Sequence, residues 1–359
     1  MSKTWPDTRL LDLFGIELPI IQAPMAGPTL HEMVIAVGQA GGLGSLPCAL
    51  LSAEQQRREL QLIRAQTRAP LNLNFFCHQT PAPDPAREAA WRQRLRAYYL
   101  ELGLDPDGPI PSSSRNPFDA AACELVEEFR PDVVSFHFGL PEPRLLARVK
   151  AAGATVIASA TTVAEARWLE AHGVDAVIAQ GAEAGGHRGV FLTDEIHSQV
   201  GLFALLPQVV DAVKLPVIAS GGIGDARGIV AAFALGAAGV QIGTAYLYTP
   251  EAKLAAPHRA ALESAAAETT ALTNLFTGRP ARGIVNRVMR EVGPMSELAP
   301  AFPTAGGALA PLRAASESQG SGDFMSLWAG QAAPLSPRGM GAGELTRWLA
   351  AQALAMLGR

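Results

Sequence analysis

The densest group of chemistry-bearing residues is Ala179-Gln180-Gly181-Ala182-Glu183-Ala184-Gly185-Gly186-His187-Arg188-Gly189. Four glycines stand here beside one carboxylate, one imidazole and one guanidinium, a mixture too polar and too flexible for a core. The run just before it, Asp175-Ala176-Val177-Ile178, lies between Gly173 and Gly181 as a buried strand would. A loop of this kind leaving a parallel strand brings backbone N–H groups close to an anion and offers a histidine to a substrate. His187 is therefore the candidate base, because imidazole titrates near neutrality and can take a proton from an acidic C–H group. Glu183 and Arg188 are expected to anchor the loop by ion pairing.

Other segments carry complementary chemistry. Ser220-Gly221-Gly222-Ile223-Gly224 and Gln241-Ile242-Gly243-Thr244 have the glycines that let backbone approach a phosphate, and a helix starting near Asp225 would point its positive end that way. Gln22-Ala23-Pro24-Met25-Ala26-Gly27 offers backbone and an apolar side chain to a flat ring. In Asn72-Leu73-Asn74-Phe75-Phe76, outward packing of Leu73 and Phe75 turns Asn74 inward, where its amide can bond a heterocycle edge. His137 alternates with Phe136 and Phe138, so it faces the same interior, either as core or as a partner of the site. His31, His172, His197 and His258 read as structural or solvated, and His78 is open between the two. The basic stretch Thr277-Gly278-Arg279-Pro280-Ala281-Arg282-Gly283, with Asn286, Arg287 and Arg290, reads as a solvated or inter-subunit face.

These residues need a scaffold, and the chain supplies a regular one. Eight short apolar runs, at 19–25, 42–46, 71–76, 132–138, 155–160, 176–180, 216–220 and 239–247, alternate with helical segments at 29–40, 53–66, 142–152, 163–171, 201–213 and 225–235. Unbroken apolar strands alternating with helices mean a parallel sheet covered on both faces, and eight units predict a closed (β/α)8 TIM barrel. The active site then lies at the C-terminal ends of the strands, with phosphate in the loops after the seventh and eighth. Two regions break the rhythm. An insertion spans 77–130, with a helix at 87–102 and a Pro/Ser loop at 106–117. The stretch 251–343 starts helical at 252–267 and turns irregular from 278, predicting a smaller accessory or lid domain beside a barrel of 1–250 plus 344–359.

Composition narrows the class. The chain has 359 residues, 48% hydrophobic and 17% charged, with a formal net charge of −4. That balance argues against nucleic acid or an anionic membrane as partner. Residues 228–250 lack charge, but Gly236 and Gly239 split them into a helix and a strand, which lipid would not tolerate. Asp7, Asp12 and Glu17 interrupt the first nineteen residues, and Cys48, Cys77 and Cys123 read as buried thiols of a reducing compartment, so a cytoplasmic location is expected. No HxH, HExxH or carboxylate–His cluster suggests a metal, and no GxSxG elbow suggests a hydrolase. Gly41-Gly42-Leu43-Gly44 precedes its strand, so it is not a dinucleotide fingerprint.

Taken together, Gln22 to Met25, Asn74, Ser135-Phe136-His137-Phe138-Gly139-Leu140-Pro141, the segment Gln180 to Gly189, Ser220 to Ile223 and Gln241 to Thr244 resemble the nitronate monooxygenases, formerly 2-nitropropane dioxygenases, over most of the chain. The resemblance implies FMN, held by Ala23, Pro24, Met25, Asn74, Gln180, Gly185, Gly186, Gly221, Gly222, Gln241, Ile242, Gly243 and Thr244. It also implies His187 as catalytic base with His137 nearby, acting on alkyl nitronates such as propionate 3-nitronate with O2 to give a carbonyl compound and nitrite. Some family members line the substrate pocket with Tyr and Lys from the C-terminal segment, whereas this chain has no Tyr after Tyr248 and no Lys after Lys253. Two alternatives share the residues: an FMN-dependent NAD(P)H:quinone or enoyl-thioester reductase, and a flavin-free barrel isomerase or lyase on a phosphorylated substrate. The expected partners are a small-molecule nitronate and O2, with homo-oligomerisation open.

Overall fold

The computed structural model describes residues 4–111 and 115–359; of the Pro/Ser loop expected at 106–117, residues 112–114 lie outside the described residues. Eight parallel strands form one sheet: β1 (Ile20–Gln22), β2 (Gly44–Pro47), β3 (Leu71–Phe76), β4 (Val133–His137), β5 (Thr155–Ala160), β6 (Ala176–Gln180), β7 (Val217–Ser220) and β8 (Gly239–Ile242). From β2 to β8 each pairs with its neighbour in sequence, and β8 pairs back onto β1 through Ile20–Val240, Ile21–Gln241 and Gln22–Ile242. The remaining seam between β1 and β2 is joined by a parallel bridge, Ile21 to Leu43, with Leu43 N–H donating to Ile20 O (3.0 Å) and Gln22 N–H to Leu43 O (3.0 Å). The barrel is closed, so the sheet has no free edge to protect.

Side-chain alternation separates two cores. Ile20, Leu73, Phe75, Val134 and Phe136 face outward into the large core beneath the helices. Ile21, Leu43, Val133, Ile157, Ile178 and Ile218 face inward, where they meet Leu10 and Phe14 of a short helix, Arg9–Phe14, that stops the N-terminal end of the barrel. That helix is too short for its period to stand out in the sequence. The glycines expected to end helices do so: Gly41, Gly153, Gly173 and Gly236 all take positive φ. The helix Ala342–Met356 returns to the barrel, burying Leu345, Leu349 and Ala353 in its outer core.

Three expectations are corrected. The eighth strand stops at Ile242 rather than 247: Gly243 turns to helical dihedrals and Tyr246 N–H bonds its carbonyl (2.9 Å), so Thr244–Tyr248 is a 3-10 helix. The first strand ends at Gln22, ahead of Pro24, which has no N–H to give a ladder. The region after 278 is not irregular. It contains the strand Ala281–Ile284 and the helices Arg287–Val292 and Gly306–Ser318. Gly306, Gly307 and Pro311 hide that last helix from propensity reasoning; tertiary burial of Ala308, Leu309 and Leu312 stabilises it instead. Its apolar face lies in a second core shared with Trp91, Leu95 and Tyr99 of the insertion helix Pro85–Glu101. The insertion also carries a helix not seen in the sequence, Ala120–Phe129, capped by Asp119.

Close packing of strand β2 against the helix His31–Gln39 gives a test. A Cβ on Gly44 would meet the Val34 carbonyl oxygen and lie 2.9 Å from Val34 Cα, neither of which can swing away. Gly44→Ala should destabilise the barrel by about 1–3 kcal/mol, as overpacked cores do. Urea unfolding checks this, and a midpoint equal to wild type would disprove the packing.

Candidate active site

The barrel interior changes character along its axis. Above the apolar layer of Ile21, Leu43, Val133 and Ile157 come Asn74, Ser135, Ser159, Gln180, Ser220 and Gln241, all buried. Some satisfy one another: Asn74 Nδ2 donates to Ser135 Oγ (3.0 Å). Others do not. Gln241 Oε1 is buried with no hydrogen-bond partner among the described residues. An unmade buried hydrogen bond costs about 1–3 kcal/mol, so a core that turns polar at one end is built to hold something. At this end a cavity of about 390 Å³ opens, in the size range of small-molecule sites.

The loop after β6 is held from below. Arg188 is fully buried: Nη1 donates to Gly181 O (2.7 Å), Nη2 to Gln180 O (2.7 Å) and Nε to Gln199 Oε1 (2.8 Å). Burial and the neighbouring Arg282 push it down to about 10, so it stays charged at neutral pH. Both ends of the Gln180 amide are used, Nε2 on His187 O (2.9 Å) and Oε1 on Gly189 N–H (2.8 Å). Glu183 does not pair with Arg188. Its carboxylate accepts Leu202 N–H (2.9 Å) and so caps the helix Leu202–Ala212, because a free helix N-terminus attracts a carboxylate more closely than an enclosed guanidinium already bonded to carbonyls.

From above, the loop is covered by the basic stretch that the sequence placed in solvent. Gly186–His187 forms a short strand antiparallel to Ala281–Ile284, which pairs in turn with Thr270–Thr273. Thr277 and Arg282 are buried; Arg279 rests on the ring of Phe138 (4.5 Å) and donates to Val190 O (2.9 Å). Phe138 itself takes φ +70, left-handed for a non-glycine residue, just where β4 delivers its ring beneath Arg279. From Thr277 to Arg282 the expected solvated face instead covers the loop, because antiparallel pairing satisfies its backbone and carbonyl groups take up Arg279 and Arg282, whereas Arg290 is exposed as expected.

His187 lies at the centre. Its ring is surrounded by Phe76, Phe138, Phe302 and Trp328 at centroid distances of 5.4–5.9 Å, and Nε2 lies 2.9 Å from Thr277 Oγ1. Burial and then Arg115, His137, Arg279 and His78 hold it well below the usual histidine value, so it is neutral at physiological pH. His137 is occupied at both nitrogens. A carbonyl can only accept, so Nε2–H donates to His187 O (3.2 Å) and Nδ1 accepts from Ser159 (3.1 Å). Burial, Arg188 and Arg279 push His137 down to about 4.

The family model for nitronate monooxygenase matches residues 7–351. The chain belongs to the nitronate monooxygenase family. It is 42% identical over 347 residues to the nitronate monooxygenase of Pseudomonas aeruginosa, covering 95% of this chain and 97% of that one. A solved nitroalkane oxidase from Streptomyces ansochromogenes superposes with a TM-score of 0.85 at 39% identity, covering 97% of this chain and 98% of that one. FabK from Thermotoga maritima superposes with a TM-score of 0.72 at 25% identity, over 98% and 97% of the two chains. The family is one of flavin-dependent oxidoreductases, which sets aside the flavin-free isomerase or lyase.

Against the nitronate monooxygenase pattern, Ala23, Pro24, Met25, Asn74, Gln180, Gly185, Gly186, Gly221, Gly222, Gln241, Gly243 and Thr244 line one cavity with His137 and His187. Ile242 does not. Its side chain packs outward into the helix-facing core, and its carbonyl accepts Ala23 N–H (2.8 Å). The helix Ala226–Ala234 spends its first-turn N–H on its own Asp225 rather than offering it to an anion. Cys77 is only half-buried. Sequence reasoning missed Arg115, Trp328 and the wall position of His258, all of which line the cavity. His258 donates to Trp328 O (3.1 Å), a contact across 70 residues that no local pattern announces.

The buried histidines make stability pH-dependent. His137 and His258 fall from 6.5 to about 4 in the fold, His258 chiefly through burial. As pH drops below 6.5 the unfolded chain binds protons first, so stability should fall between pH 6.5 and about 4 and be flat in this respect above it. Thermal unfolding from pH 7.5 to 4.5 should show this, with a shallower slope in His258→Gln. Equal slopes in the two proteins would contradict the assignment.

Proposed function

We propose that the protein uses FMN and O2 to oxidise alkyl nitronates to a carbonyl compound and nitrite, with His187 as base toward neutral nitroalkanes. The observation that carries the reading is one cavity with unspent backbone donors at one end and a neutral, aromatic-caged His187 beside it.

Several features suit FMN. The N–H groups of Gly221, Gly222 and Gly243 have no acceptor among the described residues, and all three residues line the cavity between the last two strand ends, a cradle for one phosphate. Gln241 Oε1 is an orphaned acceptor on the same wall, suited to an N–H of the flavin ring. Ala23, Pro24 and Met25 would support the ring, and Asn74 would meet its edge. Bound there, flavin supplies the redox chemistry, accepting electrons from the nitronate and passing them to O2.

The chain's own residues do the rest. Arg115, Lys253 and Arg313 line the cavity and favour an anionic substrate. His187 breaks the α-C–H bond by taking the proton, leaving the electron pair on the nitronate. The cations that disfavour a protonated His187 stabilise that anion. His137 acts by position, since both of its nitrogens are engaged. The reductase alternative is open to direct test: rapid mixing with NADPH should leave the flavin oxidised, while a nitronate should reduce it.

Purified protein should be yellow and release FMN, not FAD, on denaturation. Gly222 has φ +70, which valine adopts only under strain, so Gly222→Val should bind FMN at least tenfold more weakly by fluorescence titration. Unchanged affinity would place the phosphate elsewhere. His187→Asn should lose about 10²- to 10⁴-fold in turnover of a neutral nitroalkane and far less with the pre-formed nitronate. Equal losses on both would mean that His187 holds the anion rather than moving the proton.

A further inference from the structure

Thr277 reaches the site from ninety positions downstream of His187, on the loop that enters the strand Ala281–Ile284. It is 2% exposed, and its Oγ1 lies 2.9 Å from His187 Nε2 and 3.4 Å from Arg279 O. Gly278, next in the chain, takes φ +94, and a Cβ there would lie 2.5 Å from Phe302 N and 2.6 Å from Ala301 C, so the turn that sets Thr277 is pressed against the segment carrying Phe302. These contacts fix the hydroxyl as firmly as they fix the imidazole.

The two contacts of the Thr277 hydroxyl, taken together, select a tautomer. Arg279 O can only accept, so the Thr277 hydroxyl proton goes to it. The Thr277 oxygen is left as an acceptor, which requires the His187 proton on Nε2. The opposite tautomer would take the Thr277 proton away from Arg279 O and would turn an N–H instead of a lone pair toward the cavity at Nδ1, the ring nitrogen with no partner among the described residues. Around the ring stand Arg279 on the Thr277 loop, His137 from β4, His78 after β3 and Arg115 from the insertion, all bases or cations that oppose a second proton.

We propose that Thr277 is a positioning residue that fixes the His187 proton on Nε2, and so makes Nδ1 the atom that accepts the substrate's α-proton. This rests on His187 being the base, and it extends that reading to an atom and to the residue that selects it. In the step, the α-C–H bond breaks, an Nδ1–H bond forms, and the electron pair stays on the nitronate. The resulting imidazolium keeps its Nε2–H bond to Thr277, so no second proton has to move.

The test separates tautomer from turnover. Histidine-selective ¹⁵N labelling of the FMN-loaded enzyme, with the His187 signals identified by their absence in His187→Asn, should show a neutral ring protonated at Nε2. Thr277→Val keeps the shape and removes the acceptor. It should give a mixed or reversed tautomer and lose at least tenfold in kcat/KM for a neutral nitroalkane, up to the roughly 10⁴-fold seen when a tautomer-setting partner is removed in serine proteases. Turnover of the pre-formed nitronate and FMN content should stay near wild type, and Thr277→Ser, which restores the hydroxyl, should recover both tautomer and rate. A wild-type ring protonated at Nδ1 overturns the proposal, as does a Thr277→Val enzyme with unchanged nitroalkane turnover. If Thr277→Val does not fold, the wild-type spectrum and the serine variant still decide. Should His187→Asn retain nitroalkane turnover, the base assignment itself fails, whatever the tautomer.

Discussion

A guanidinium removed from water is among the most expensive groups a fold can enclose, and Arg188 is enclosed completely. The cost is offset because two carbonyls where β6 ends, Gln180 O and Gly181 O, and the Gln199 side-chain oxygen accept its protons. Its backbone N–H bonds Pro280 O, which ties the same residue to the covering stretch from the C-terminal region. One side chain therefore fixes where β6 stops, how the glycine loop turns and what lies over it. His187 is its immediate neighbour and inherits that rigidity. The loop that reads as flexible in the sequence is one of the most heavily bonded parts of the structure.

The barrel divides its work along its axis. Its N-terminal half is filled with branched aliphatic side chains and stopped by Leu10 and Phe14, which supplies stability. Its C-terminal half gives up that stabilisation to hold amides and hydroxyls in a mostly satisfied network. One acceptor left without a partner, Gln241 Oε1, lies on the cavity wall. A core made apolar throughout would be more stable and would have nothing with which to orient a heterocycle. At Gln241 the unmet hydrogen-bonding capacity stands where binding can meet it.

Much of this was legible in the sequence because it is local. Alternation in Asn72-Leu73-Asn74-Phe75 assigns Asn74 to the interior, and Leu73 and Phe75 do pack outward. Glycine breaks mark helix ends, and the short aliphatic runs are strands because only a covered parallel sheet accommodates them. What stayed hidden depends on distant pairing. Thr277, Arg279 and Arg282 read as a basic surface because arginines usually are solvated; their burial depends on carbonyls supplied by Ala182, Val190 and Arg279 itself. Glu183 and Arg188 look like an ion pair from their spacing, yet a helix end and two strand-end carbonyls compete for them and win. The helix Gly306–Ser318 exists because of its neighbours, against the preference of its glycines and proline.

The electrostatics of the site follow from these same distant pairings. A base that must remove a carbon-bound proton needs to be unprotonated at the outset and must leave behind a stabilised anion. A strongly basic histidine would fail the first requirement at neutral pH. Here Arg115 and Arg279 surround His187 with positive charge, and the aromatic rings packed around it leave only its cavity side open to the water that would screen that charge. That field lowers the proton affinity of the imidazole and raises the acidity of a nitroalkane beside it. The two effects have one origin and cannot be tuned separately by moving a single arginine. What can be tuned separately is the direction in which the ring presents its lone pair, and that is set by the Thr277 hydroxyl rather than by charge. In this site charge governs whether the proton can move, and one neutral hydrogen bond governs the atom to which it moves.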